Sequence, residues 1–548
     1  MPRLGVEATF GSEPPRIDLR ADFARYQEPP LLSYAELVEL GTIDEVRPGL
    51  KEKMTTLLRT PFLSNEAHYA GAQPILPDVP ELGPSLRVVM WNIERGLRLD
   101  EVKLAFTDAD AFLQTRDDEI PGTVVSQVRE ELEVLQTADI LVLQELDWGM
   151  KRTGYREVVR EMGAALKMNW AYAVEFLEVD PIELGTERFD EMPEDEREHL
   201  REDIEVDKKL YRGLHGTAIL SRYPIREARV IPLLVQGHDW YHDEKRGVSP
   251  IESAKRGTAS MVFLEKIFRE IRRGGRTHLF VTLDVPHLPG GRLTVSAPHL
   301  EARTKPAIRR EQMNIVLSHL REIEHPVIIA GDLNTTGSDN LPTSVKREIY
   351  KRVGSKEFWA KRGVIYATGL GLIYDFVSSG IRFLRNQNDP TARSIPIFSS
   401  NHERGLFREI ENFRDLNGFV FDFRGTRTRT ITGKARTLAN SNQRGRKGFV
   451  PTFELARTVG PAGKFKLDWI FVKSYLADHP RDKEAGYRFA PHFPRTMRDL
   501  NYFPPEALSD HHPISVDLPF GDPESFTITG ESGGNELAAV TTQPSNTE

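Results

Sequence analysis

HPVIIAGDLN (residues 325–334) is the stretch whose reading decides the fold. Its apolar residues follow one another without alternation, the pattern of a strand covered on both faces. It closes on Asp332 and Asn334, so polar side chains stand at the strand's carboxyl end. In α/β sheets that end is where ligand crevices form.

Six more runs read the same way: LRVVMWN (86–92), ADILVLQE (138–145), TAILSR (217–222), RLTVSAPHLE (292–301), LDWIFVK (467–473) and HPISVDL (512–518). Helical spacing fills the gaps. Val124, Val128, Leu132 and Leu135 share a face, as do Tyr155, Val158, Val159, Met162 and Leu166. Ile308, Ile315, Val316, Leu320 and Ile323 predict a helix over 304–323, with Pro306 in its first turn, where a missing N–H costs little. Strand–helix alternation predicts α/β layers.

Polar residues recur at one end of these runs. Asn92 and Glu94 follow LRVVMW, Glu145 ends ADILVLQE, and His299 and Glu301 end RLTVSAPHLE. Asp468 opens DWIFVK, and Asp510 and His511 precede HPISVDL. Any one of them is an ordinary turn or cap residue; their recurrence in one order is the signal. Carboxylates and an amide oxygen are hard ligands suited to Mg²⁺ or Mn²⁺. A hard cation can hold phosphoryl oxygens, a carboxylate can activate water, and a His paired with an Asp can stabilise a pentacovalent phosphorus centre. The inventory therefore suits phosphoester hydrolysis.

Composition removes other chemistries. The 548 residues include no cysteine, which excludes disulfides, thiolate metal sites and cysteine nucleophiles. No P-loop, HExxH or GxSxG motif occurs. DLNTTGSDNLPT (332–343) begins like a calcium loop but has Thr343 where the bidentate Glu belongs. No apolar run reaches the roughly 18–20 residues that span a bilayer, and the amino terminus lacks a signal-peptide core. A cytoplasmic protein without a membrane span is expected; oligomeric state is not readable.

The net charge of −8 hides an asymmetry. Residues 175–207 carry 15 acidic and 3 basic side chains, whereas 335–466 carry 24 basic and 11 acidic. Within the latter, 423–447 holds Arg424, Arg427, Arg429, Lys434, Arg436, Arg444, Arg446 and Lys447 and no acidic residue, with Phe421, Phe423 and Phe449 beside them. This segment reads as a basic wall that binds a polyanion, or as a solvated loop, or as a surface paired to the acidic stretch. The core of the acidic stretch, FDEMPEDEREHLREDIEVD (189–207), reads most simply as a solvated helix or mobile loop.

WNIERG (91–96), LVLQE (141–145), GTAILSRYPI (216–225), HLE (299–301), GDLN (331–334), LDWIF (467–471) and SDHHPI (509–514) together resemble the endonuclease/exonuclease/phosphatase superfamily, the DNase I-like fold. The resemblance implies a four-layer α/β sandwich, two mixed β-sheets packed face to face and flanked by helices. It implies a metal site of Asn92, Glu94, Glu145 and Asp510, with Glu145 the main carboxylate. It implies that Asp332 orients or activates water, that Asn334 contacts the scissile phosphate, that His511 is held by Asp468, and that His299 is a second phosphate-side histidine. Arg256, in KRGTASMVF (255–263), resembles a family arginine that contacts phosphate. The chain departs from compact members in the long connection between GDLN and LDW.

The expected organisation is an N-terminal extension, partly helical, over 1–84, a catalytic domain over 85–520 with the basic insertion at about 335–466, and a disordered tail over 521–548. The expected activity is a divalent-metal-dependent phosphodiesterase or nuclease acting by metal-assisted attack of water. Its substrate is a phosphate ester, with nucleic acid bound through the insertion. A phosphomonoesterase or lipid-headgroup phosphodiesterase of the same superfamily, and a non-catalytic scaffold with the same fold, are the alternatives.

Overall fold

Val88 and Met90 point to one side of the strand Gly83–Arg95 and Val89 and Trp91 to the other, and all four are buried. A strand buried on both faces needs a layer above and a layer below. The computed structural model of the chain supplies both. It describes residues 23–116, 120–179, 206–242, 271–335, 389–392, 403–445, 448–459, 462–476 and 487–520.

The principal strands are β1 (Phe62–Ser64), β2 (Gly83–Arg95), β3 (Ile140–Trp148), β4 (Asn169–Val179), β5 (Leu214–Ser221), β6 (Ile225–Pro232), β7 (Thr277–Asp284), β8 (Arg292–Pro298), β9 (Val327–Asp332), β10 (Asp468–Lys473), β11 (His492–Thr496) and β12 (Ile514–Pro519). They form two mixed sheets, ordered β1-β4-β5-β3-β2-β12-β11 and β10-β9-β8-β7-β6. Each sheet holds one parallel pair, β2 with β3 and β8 with β9; the other principal pairs are antiparallel. A parallel pair needs a crossover. Here β2 reaches β3 through α-helices that include Leu99–Thr107 and Gly122–Gln136, and β8 reaches β9 through Pro306–Leu320.

The inner faces meet in one apolar layer, with Val88, Ile140, Ala171 and Ile219 from the first sheet against Leu279, Val295, Ile328 and Ile470 from the second. Helices cover the outside of the first sheet, where Leu37, Leu57, Val102, Leu132 and Met162 pack on Val89, Trp91 and Leu143. Met313, Val316 and Leu320 cover Ile329 and Phe471 on the second. The four-layer α/β sandwich is the fold expected from the sequence. No helix among the described residues is long and apolar enough to cross a membrane.

Three features were not legible in the sequence. The first residues of the 175–207 stretch belong to β4, where the acidic Glu175 and Glu178 are buried. The rest of that stretch, 180–205, lies outside the described residues, as do Arg256, Arg446, Lys447 and the tail from 521. The phenylalanines beside the basic run also do not face outward. Phe421 and Phe449 are core residues of the outer layer and Phe423 packs against it. Strands β1 and β11 are too short, and β4, β6 and β7 too interrupted by charged or polar residues, to stand out as apolar runs.

The described part of the insertion from Glu403 onward packs in that outer layer. Its helix Arg404–Asn412 docks on Pro306–Leu320 through the buried Arg309–Glu403 ion pair, and its Phe407 packs on Trp469 of β10, ring centroids 4.7 Å apart. It also closes the edge of the second sheet. Asn442 donates to Ile470 O at 2.7 Å and accepts from Ile470 N at 3.2 Å, and Asp422 N donates to Val472 O at 2.8 Å. Covering an edge strand removes its exposed pairing groups.

Candidate active site

Strands β2, β3, β8 and β9 end at one edge of the sandwich, and the antiparallel β10 and β12 begin there. Topology alone therefore gathers Asn92, Glu94, Glu145, His299, Asp332, Asn334, Asp468, Asp510 and His511 at that edge.

Bulges then aim the acids. In the β2–β3 ladder Asn92 pairs with Gln144 and Arg95 with Leu146, so Ile93 and Glu94 on one strand and Glu145 on the other have no cross-strand partner. On the far side of β5, Val174 pairs with Gly216 and Phe176 with His215, which leaves Glu175 as the extra residue. A bulge bends the strand and redirects a side chain. Glu94 and Glu145 take positive φ, 46° and 56°. Gly216 lies between two of the bulges, and a Cβ there would overlap Ala173 O.

Gln144 ties the sheets together beside the site. Its Nε2 donates to Pro298 O at 2.8 Å and its Oε1 accepts from Asp332 N at 2.7 Å. Asp332 is buried, and its Oδ1 accepts from Asn334 N at 2.8 Å. Asn334 has φ 49° and donates from Nδ2 to Leu300 O at 3.0 Å. Burial raises the Asp332 carboxyl above its usual range and the nearby Asp468 adds to this, against the pull of His511 and His299.

Three histidines each hold a carboxylate. His511 Nδ1 lies 2.8 Å from Asp468 Oδ2. Burial disfavours its charged form, but Asp468, then Asp332 and Asp510, outweigh burial and raise it well above the ordinary histidine value. His299 Nδ1 lies 2.7 Å from Arg276 Nη1 and 3.1 Å from Glu175 Oε1, while Arg276 Nη1 lies 2.7 Å from Glu175 Oε2. Nδ1 is thus engaged on the Arg276–Glu175 pair, which leaves Nε2. That nitrogen is buried without a hydrogen-bond partner, 3.8 Å from Asp332 Oδ2 and 4.0 Å from Glu145 Oε1. The third pair, His215 Nδ1 and Asp147 Oδ1 at 2.9 Å, is backed by Arg152, which also binds Glu178.

This buried network sets the charge of Glu145. Burial raises the Glu145 carboxyl, but His215, His299, Arg276 and Arg95 together outweigh it and hold the group down at about 2. Glu145 is therefore ionised at neutral pH. Its side chain is 27 % exposed. Glu94 Oε2 accepts from Asp510 N at 3.1 Å, and Asn92 Oδ1 accepts from Glu94 N at 3.1 Å while Asn92 Nδ2 is buried without a partner.

Among the described residues one trio of acidic and histidine side chains, Asp332, Asp468 and His511, has its ligand atoms within 4.8 Å of one another. Glu94, Glu145 and Asp510 do not draw together in that way. His511 is a poor ligand as it stands, because a metal-bound imidazole must be neutral and its partners favour the charged ring.

Sequence reasoning missed Glu175, Arg276, His215, Asp147 and the bridging role of Gln144. Gln144 and His215 lie in or beside motif segments and were within reach. Glu175 was not, since it sits in a stretch whose composition points to solvent.

The basic run is partly spent inside the fold. Arg444 is buried, pairs with Asp389 and lies 4.1 Å from the Phe449 ring centroid. Arg429 is buried, and Arg424 pairs with Asp422. Arg427, Lys434 and Arg436 are exposed.

The sequence model of the family described as "Endonuclease/Exonuclease/phosphatase family" matches residues 91–511. No curated protein matches the chain. Similar solved structures include an endonuclease/exonuclease/phosphatase from Beutenbergia cavernae, at 17% identity over 80% of this chain and 72% of that one, TM-score 0.35. They also include a 3′-5′ exonuclease from Neisseria meningitidis, at 13% identity over 79% and 99%, TM-score 0.35. An endonuclease/exonuclease/phosphatase from Bacteroides vulgatus matches at 14% identity over 79% and 98%, TM-score 0.33.

Proposed function

The chain belongs to the endonuclease/exonuclease/phosphatase family and is a hydrolase of phosphoester bonds, and from that premise we propose that it is a divalent-metal-dependent phosphodiesterase acting on nucleic acid. One observation carries the reading. His299 Nε2 and His511 Nε2 stand 3.8 and 3.9 Å from the same oxygen, Asp332 Oδ2. These gaps are too wide for hydrogen bonds, and one phosphoryl oxygen or water set against all three atoms would be within reach of each.

Asp332 orients the attacking water and takes its proton, a role helped by the rise in its affinity for protons. His511, kept charged by Asp468, and His299, through its unpartnered Nε2, donate to the phosphoryl oxygens as negative charge builds on them. Asn334 retains a second amide N–H beyond the one given to Leu300. The residues around Glu145 offer hard ligands: Glu145 is ionised and partly exposed, Glu94 falls in the facing bulge of the β2–β3 ladder, and Glu94 is bonded in turn to Asn92 and to the Asp510 backbone. Mg²⁺ or Mn²⁺ held there would offset phosphoryl charge and stabilise the leaving oxyanion. Exposed Arg427, Lys434 and Arg436 support a polyanionic substrate.

The test is a panel of single- and double-stranded DNA, RNA, nucleotides, sugar phosphates and phospholipids with Mg²⁺ or Mn²⁺, with Asp332→Ala as the blank. Nucleic-acid cleavage by wild type alone is expected. Turnover confined to phosphomonoesters or lipids would replace the nuclease reading. Calorimetry with Mn²⁺ places the ion: binding lost in Glu145→Ala and kept in Asp468→Asn supports the Glu145 site, and the reverse favours the Asp332–Asp468–His511 trio.

A further inference from the structure

The insertion ends in a β-hairpin, Phe453–Val459 with Ala462–Phe465, that returns the chain to Asp468. The residue before the hairpin, Thr452, is fully buried. Its Oγ1 accepts from both Leu467 N and Asp468 N, each at 3.1 Å. One hydroxyl thus satisfies two backbone donors at the start of β10, where the dyad carboxylate is attached.

The same segment pairs with the loop that carries His511. Glu454 N donates to Asp510 O at 3.1 Å and His512 N donates to Thr452 O at 2.7 Å. These two bonds bracket an antiparallel bridge between Phe453 and His511. The Phe453 ring stands edge-on to the His511 imidazole, with centroids 4.9 Å apart and planes at 70°. Glu454 adds a side-chain anchor, accepting from Lys464 Nζ at 2.7 Å and Arg498 Nε at 2.9 Å.

The contacts close a ring. Thr452 holds the Asp468 backbone, Asp468 Oδ2 holds His511 Nδ1, His511 packs on Phe453, and Phe453 is bonded to Thr452. Asp468 and His511 are 43 residues apart. Beyond their own hydrogen bond, the end of the insertion touches both.

We propose that Thr452 and Phe453 are positioning residues for the Asp468–His511 pair, so that the insertion takes part in the catalytic geometry and not only in substrate binding. The inference rests on the reading of that pair as catalytic. Without the Thr452 hydroxyl, two buried N–H groups lose their acceptor and the first residue of β10 shifts to find another. Without the Phe453 ring, one side of the imidazole opens to water and the ring gains freedom to turn. Displacements of about 1 Å at a reacting group cost on the order of 100-fold in rate.

The test compares wild type with Thr452→Val, Thr452→Ser and Phe453→Leu, using bis(p-nitrophenyl) phosphate and Mn²⁺ well below the unfolding temperature of each variant. Thr452→Val and Phe453→Leu should lose 10- to 100-fold in kcat with KM within about twofold. Thr452→Ser, which keeps the acceptor, should recover most of the rate. A second readout needs no turnover. The downfield imidazole N–H proton resonance of His511, assigned by its absence from His511→Gln, should be present in wild type and Thr452→Ser and shifted or lost in Thr452→Val. Unchanged kcat and an unchanged resonance in Thr452→Val and Phe453→Leu would overturn the proposal. An inert wild type whose resonance still depends on Thr452 would count against the phosphodiesterase reading and leave the positioning role standing.

Discussion

Gln144, on the first sheet, accepts the backbone N–H of Asp332, on the second, at 2.7 Å. This bond sets the distance between the strand that carries Glu145 and the strand that carries the proposed base. Gln144→Ala would strand Asp332 N and Pro298 O in the interior. Each stranded group costs on the order of 1–3 kcal/mol. Urea unfolding should show the loss, and phosphoesterase activity should fall by more than the folded fraction does. An activity that tracks the folded fraction would show that the bond serves stability alone.

Gly216 lets β5 run between two bulges, because a Cβ at that point would overlap Ala173 O. Gly216→Ala must push β4 away or flatten a bulge. Overpacking of this kind costs typically 1–3 kcal/mol. Since Glu145 and Glu175 both depend on those bulges, Mn²⁺ affinity measured by calorimetry should weaken as well. Unaltered affinity in a destabilised variant would separate the bulges from the site.

The His511 ring is held charged by Asp468 against the effect of burial. If the charged ring donates to phosphate, the rate should fall as pH rises through its value in the enzyme, which lies above the ordinary histidine value of about 6.5. Asp468→Asn removes the strongest opposing influence, so burial should move that alkaline limb down. Profiles of kcat against pH for both proteins check it. A limb in the same place in both would remove Asp468 from this role.

Glu131, on the helix Gly122–Gln136, accepts Leu500 N at 2.7 Å, and burial raises its carboxyl to about 8. The folded protein then keeps a proton that the unfolded chain releases near pH 4.5. Stability from this group is complete below pH 4.5 and is lost as pH rises toward 8. Glu131→Gln keeps an acceptor without the titration, so it should gain stability relative to wild type across that range and none below it. Denaturant midpoints at pH 4 and pH 8 decide the matter.

Much of the site was legible before the fold. Continuous apolar runs marked β2, β3, β5, β8, β9, β10 and β12, and the polar residues at their ends are the ones the sandwich edge gathers. Such runs are legible because burial on both faces is written in each strand's own residues. The motif order then pointed to phosphate chemistry through the kind of oxygen and nitrogen atoms it supplied.

The sequence by itself determined the α/β class, the strands that carry Asp332, Glu145 and Asp468, and the exclusion of cysteine chemistry. The tertiary structure alone decided which way the acids point and what pairs with them. Glu145 and Glu175 are extra residues of bulges, and a bulge exists only against a neighbouring strand. Glu175 is neutralised by Arg276, 101 residues away, so a composition that reads as solvated is buried. The basic insertion had the same ambiguity. Charge counts described its net sign, but only packing shows Arg444 and Phe449 joined in the interior and Thr452 bonded beside Asp468. Local sequence carries hydrophobic pattern, whereas pairing of charges and donors depends on which distant segments meet.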